Sequence, residues 1–173
     1  MKRLLNLALL ITFITQLSAA QFRAGAAKVD ITPKLWPVQL IGSFNERLAY
    51  KAHDPLHARA IVCDDGKTRF AIVIVDNCLI GRNYIDRAKA LAAKRTMIRA
   101  DRMLVAATHT LSAPPGKDRR TNRDDAAHRA YFKQLVNGIA EAIIVADIDF
   151  CIVNVQGIVK NGDLVLRLSR FAI

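Results

Sequence analysis

The sequence is short of most things that would place it quickly. It has only three cysteines, Cys63, Cys78 and Cys151, an odd number with no CxxC pair. That excludes a disulfide scaffold and a thiolate zinc finger, and the three read as small buried residues. Acidic residues are few: 15 Asp and Glu stand against 26 Lys and Arg, a formal charge of +11. Aromatics make up 6%, and they do not interleave with the basic residues as a nucleic-acid-binding surface requires. There is no internal repeat and no low-complexity tract. No apolar run reaches the ~20 residues that cross a bilayer. What is present is a chain of 173 residues with 52% hydrophobic content, enough for a single core and too little for two.

The first twenty residues stand apart. Lys2 and Arg3 precede an apolar run from Leu4 to Leu17, and Ser18-Ala19-Ala20 supplies small residues for a peptidase pocket. This is the layout of a secretory signal peptide with cleavage before Gln21. It leaves a mature domain of residues 21–173 and predicts an exported protein, secreted or periplasmic. Loss of Lys2 and Arg3 takes the charge from +11 to +9.

In the mature chain, Phe22 to Ile31 reads as a strand, followed by a Pro- and Trp-containing loop from Lys34 to Ser43. His57 to Cys63 and Thr68 to Val75 flank an Asp-Gly turn, a hairpin signal. The second of these strands is apolar on both faces and should be central. Asn83 to Lys94 predicts a helix capped by Asn83, with Ile85, Ala88, Leu91 and Ala92 on one face. Arg102 to Ala107 is a further strand, so strand, helix and strand follow in the order of a parallel crossover. A polar loop with Pro114-Pro115-Gly116 precedes a second helix from Asp125 to Val145. A second hairpin surrounds Asn161-Gly162. The class is α/β: a mixed sheet with a hairpin and strand-helix-strand crossovers, the first part of a larger α/β domain.

Ligands in such sheets bind beyond the carboxyl ends of parallel strands. Two segments qualify here, Val75-Asp76-Asn77-Cys78 and the stretch from Ala106 to Pro114. In this sequence four segments, Ala24 to Pro33, His53 to Ala60, Asp76 to Ile80 and Ala107 to Pro114, resemble the neutral (non-lysosomal, alkaline) ceramidase family in order and spacing. The match runs from Phe22 to Ala146 and covers the amino-terminal part of that family's catalytic domain only. The resemblance implies a zinc amidohydrolase that splits the amide of ceramide, with a lipid-like N-acyl substrate. It makes His109 a zinc ligand, His53 a pocket-lining histidine and Gly42 part of the pocket wall where a missing side chain admits substrate.

Two departures from the family pattern carry consequences. Leu111 stands where the family's motif has a second histidine, and leucine can neither donate a hydrogen bond nor accept a proton. The family's other zinc ligands, a His, a Glu and a Tyr, come from segments with no counterpart in this sequence. A catalytic zinc takes three protein ligands, so no complete catalytic set is expected.

Pro55 between His53 and His57 forbids a helical H-x-x-x-H zinc motif. His57 is expected at the strand entry or facing solvent, His128 on the surface, and Asp76 as a strand-end cap. The basic cluster from Lys117 to Arg129 suits an anionic membrane surface; its acidic neighbours speak against nucleic acid. Two functions therefore compete: a ceramidase-like domain inactive by itself, and a non-catalytic exported basic binding protein or gene fragment.

Overall fold

The computed structural model describes residues 22–43, 45–117 and 126–149 in full, and the backbone of 151–160 and 163–170. Eight strands run β1 (Arg23–Asp30), β2 (Val38–Leu40), β3 (Arg47–Ala49), β4 (His57–Asp64), β5 (Arg69–Val75), β6 (Met103–Ala107), β7 (Cys151–Lys160) and β8 (Asp163–Arg170). Among the described residues two α-helices accompany them, α1 (Arg82–Ala93) and α2 (Ala126–Ile148), with a short 3-10 turn at Ala100–Arg102. Six strands form one sheet in the order β6-β5-β4-β1-β7-β8, and β2 with β3 forms a separate small hairpin. Among these described strands β5 and β6 pair in parallel, across α1, and the other neighbours are antiparallel. This is the mixed α/β sheet that the sequence predicts.

The Asp-Gly turn joins β4 to β5. Asp64 Oδ1 accepts from the Gly66 amide at 2.7 Å and Asp65 Oδ1 from the Thr68 amide at 2.6 Å, while Gly66 takes φ +85°. Glycine suits that position because a Cβ disfavours a left-handed backbone. Asp64 has a second task. It accepts from Arg23 of β1 at 2.6 Å and from Arg69 of β5 at 2.8 Å, and Arg69 reaches on to Asp147 of α2 at 2.8 Å. Burial raises the pKa of this carboxyl. The hydrogen bonds from Arg69, Gly66 and Arg23 outweigh that, and hold it below the usual carboxylate range.

The core lies between the sheet and the helices. Ala58, Ala60 and Val62 of β4 and Ala71, Val73 and Val75 of β5 face Leu135, Ile139, Ala142 and Ile143 of α2. α2 packs on β1, β4 and β5, and α1 packs on α2, where Tyr84 and Phe132 stack at 4.8 Å with an interplanar angle of 7°.

Several sequence expectations shift. α1 begins one residue early, capped by the extended backbone of Gly81 with no side-chain cap from Asn83. Asp86 is drawn to Arg82 at 2.9 Å instead. Its buried face is Tyr84, Ala88 and Ala92; Leu91 is exposed because the helix packs on α2 rather than flat on the sheet. The loop after β1 contains the β2–β3 hairpin, too short to show in a hydrophobic pattern. His128 is buried, not on the surface: α2 starts beneath β2, and His128 Nε2 accepts the Gln39 amide at 3.3 Å. Cys78 is buried as expected, but Cys63 is only half-buried. The side chain of Cys151 and most of the basic cluster after Lys117 lie outside the described residues.

Candidate active site

Two loops leave the carboxyl ends of the parallel pair β5 and β6, and the site is built from them. The first carries Asp76, Asn77 and Cys78. Asn77 is fully buried and acts as their clamp. Its Nδ2 donates to the Pro114 carbonyl and to the Tyr131 hydroxyl, both at 3.0 Å, and its Oδ1 accepts the Leu79 amide at 3.2 Å. One side chain thus joins the β5 loop, the β6 loop and α2. Burial pushes the Tyr131 hydroxyl strongly upward, so it is held as a neutral phenol.

The second loop begins at Thr108, whose amide donates to the Val75 carbonyl at 2.9 Å. His109 then turns into the left-handed region with φ +64°. Histidine is among the residues that adopt this conformation more readily than most, and such backbone clusters at functional sites. The turn brings His109 Nδ1 to 3.0 Å from the Cys78 carbonyl oxygen, and to 3.9 Å from the Cys78 Sγ. A carbonyl can only accept, so Nδ1 carries the proton and Nε2 presents a lone pair. That is the arrangement of a metal-binding imidazole, oriented by a backbone carbonyl on its other nitrogen.

Downstream, Ala113 to Gly116 are buried, and the Ala113 carbonyl accepts the Ile41 amide at 3.1 Å. This binds the loop to the segment after β1. Gly42 takes φ +97°, and a Cβ placed there would meet Leu111 Cβ at 2.6 Å and its Cδ2 at 2.8 Å. Leu111, still 46% exposed, lies over a glycine that has no side chain to keep it away.

Two cavities flank this contact. One of about 350 Å³ is lined by Gln39 to Ser43, Cys78, Leu79 and His109. The other, of about 550 Å³, includes Trp36, Leu40, His53, Asp76, Thr110 and Ser112 in its lining. The candidate residues therefore divide. Gly42 and His109 share the first cavity, whereas His53 lines the second, with a 97% exposed side chain paired to Asp54 at 3.2 Å. Asp76 opens onto the second cavity but is engaged: Arg59 donates to it at 2.8 Å and the His57 amide at 2.9 Å. His57 sits at the strand entry, with Nδ1 accepting from Arg59 at 3.3 Å. Sequence reasoning missed the clamp role of Asn77 and the buried His128. A polar residue two positions beyond a largely apolar strand was the only available signal for Asn77.

The architecture has solved counterparts. The chain is similar to the crystal structure of neutral ceramidase from Pseudomonas aeruginosa, with TM-score 0.68 and 25% identity over 79% of this chain and 23% of that one. A structure described as a ceramidase complexed with C2 gives TM-score 0.66 and 26% identity, covering 79% of this chain and 22% of that one. No family model matches the sequence, and no curated protein does. The chain is thus neutral ceramidase-like in fold over most of its length, and it spans less than a quarter of the length of those structures.

Proposed function

We propose that this chain corresponds to the amino-terminal part of a ceramidase-like zinc amidohydrolase, acting on the amide of ceramide or a related N-acyl lipid, and that alone it does not turn substrate over. The observation that carries the reading is His109. In a ceramidase-type fold, on the loop after the parallel strand pair, its Nδ1 is committed to the Cys78 carbonyl, which leaves Nε2 directed by its tautomer toward a ligand. The similarity in fold supports the family, and the sequence motifs around Asp76 and His109 fall on the two loops where the fold would place a site.

Zinc fits His109 as one ligand. It does not fit a complete site, because among the described residues no group of three His, Cys, Asp or Glu side chains is placed to hold a metal. A zinc supplied with three protein ligands polarises a carbonyl and lowers the pKa of a bound water; these residues do not assemble that. Leu111 adds to the deficit, placing an aliphatic group where a proton donor would be needed. The same leucine favours the second reading, an exported basic binding protein that holds a lipid without hydrolysing it.

We read residues 1–20 as a signal peptide, so that the protein meets its lipid outside the cytoplasm. No described helix is long and apolar enough to cross a membrane. The excess of Lys and Arg would draw the protein to anionic membrane surfaces.

The test is zinc stoichiometry, by elemental analysis, on the chain from Gln21 beside His109→Ala and Leu111→His, together with hydrolysis of a fluorescent short-chain ceramide. The expected result is substoichiometric zinc and no turnover in all three. One zinc per chain, lost only in His109→Ala, would place further ligands elsewhere in the molecule, and hydrolysis of the ceramide would refute inactivity.

A further inference from the structure

We propose that Asn77 is a positioning residue for His109, acting through the peptide unit between Cys78 and Leu79. The inference rests on the reading of His109 as the group that presents Nε2 to a ligand. The Cys78 carbonyl that accepts from His109 Nδ1 at 3.0 Å and the Leu79 amide that donates to Asn77 Oδ1 at 3.2 Å belong to one peptide. That peptide is trans, so it is planar, with its C=O and N–H directed to opposite sides. Holding the N–H therefore aims the C=O. Asn77 grips one end of the unit and His109 is bound at the other.

The orientation of Asn77 is itself determined. The Pro114 carbonyl can only accept, so it faces Nδ2; the Leu79 amide can only donate, so it faces Oδ1. Reversing the side-chain amide would break both bonds, and the Tyr131 hydroxyl holds Nδ2 a second time at 3.0 Å. The residue is fully buried, so water does not replace a lost contact. Gly116 closes on the same turn: a Cβ there would lie 2.5 Å from the Leu79 carbonyl oxygen and 3.0 Å from Asn77 Oδ1. Across the peptide, His109 is held in the left-handed region at φ +64°, a conformation that persists only where its surroundings fix it. The Cys78 Sγ, at 3.9 Å from Nδ1, is too distant and too weak a partner to replace the carbonyl. Turning the carbonyl away thus removes the contact that decides which nitrogen carries the proton. With the proton on Nε2, that nitrogen becomes a donor and offers no lone pair.

Long-range nitrogen–proton NMR on the mature chain from Gln21 at pH 8 tests this, because lost stability alone does not change a tautomer. Wild type is expected with the His109 proton on Nδ1. Asn77→Ala should lower the ratio of Nδ1-protonated to Nε2-protonated imidazole about fivefold, the equilibrium equivalent of one net hydrogen bond. Asn77→Ser keeps a hydroxyl that accepts from the Leu79 amide more weakly. It should fall between the two, and it serves alone if Asn77→Ala does not fold. The control is Ile143→Ala, fully buried about three turns along α2 from Tyr131. It lowers stability on a similar scale and should keep the wild-type ratio. A wild-type ratio in a folded Asn77 variant overturns the proposal, as does an equal change in Ile143→Ala. A wild-type protein with Nε2 protonated would overturn the reading of His109 itself, so the two failures are told apart.

Discussion

Asn77→Ala should be among the most costly single changes near the site. The wild-type side chain makes two donations at 3.0 Å and one acceptance at 3.2 Å, with no exposure to water. At about 1 kcal/mol net per hydrogen bond, their loss costs about 3 kcal/mol, and the Pro114 carbonyl and Tyr131 hydroxyl are left buried without this donor. For a chain of this size that lowers the melting temperature by roughly 6–12 °C. Tyr131→Phe removes only the hydroxyl, leaves Asn77 bound to Pro114, and should cost about 1 kcal/mol. In the double variant the shared bond is counted once, so the cycle should show a coupling of about 1 kcal/mol. Urea unfolding followed by the fluorescence of Trp36, the single tryptophan, gives all four corners, with far-UV circular dichroism as the check on two-state behaviour. A cost below about 1 kcal/mol for Asn77→Ala, or no coupling to Tyr131→Phe, would show that the two loops are held by something other than this clamp.

Three further outcomes follow from the geometry. Stability should fall as pH drops below about 4, because Asp64 is held below the usual carboxylate range; its contribution is present above the unfolded-state pKa of about 3.9 and is lost as pH falls through the lower folded value. Acid titration of the melting temperature should be shallower in Asp64→Asn, and an unchanged slope would refute the assignment. Long-range nitrogen–proton NMR at pH 8 should find His109 with its proton on Nδ1 and Nε2 bare, since the Cys78 carbonyl accepts at 3.0 Å; the opposite tautomer would remove the basis for metal binding there. Gly42→Ala should cost about 1–2 kcal/mol from its φ of +97° alone, with changed ligand access to the His109 cavity read by titration of a fluorescent fatty acid.

What the sequence made visible and what it hid divide along a physical line. β4, β5 and β6 were legible because a buried strand needs a run of apolar residues and a turn needs Asp-Gly, both local requirements. α2 was legible because Leu135, Ile139 and Ile143 recur at helical spacing. The β2–β3 hairpin was hidden, because three-residue strands carry no period. His128 was hidden for a different reason: its burial depends on β2 crossing above α2, a contact between residues 89 positions apart. The division of His53 from His109 between two cavities is likewise a matter of how the loops fold back, which motif spacing does not encode.

The apolar outer face of β5 connects these levels. The sequence marks the strand as central because both faces are apolar, and in the sheet it does lie between two neighbours. Central placement satisfies the strand's edges through hydrogen bonds, but it does nothing for a face. Ile72 is paired on both sides, by Ile61 and Leu104, and remains open to water above. A two-sided apolar pattern therefore states a demand for two layers, and the described helices supply one. The same logic applies to the site. His109 is oriented for a ligand by a bond made within the chain, while among the described residues no groups that would complete a metal centre are brought beside it. In both places residues prepared for partners lie together, at a sheet face and at a loop, and the described elements leave each half-satisfied.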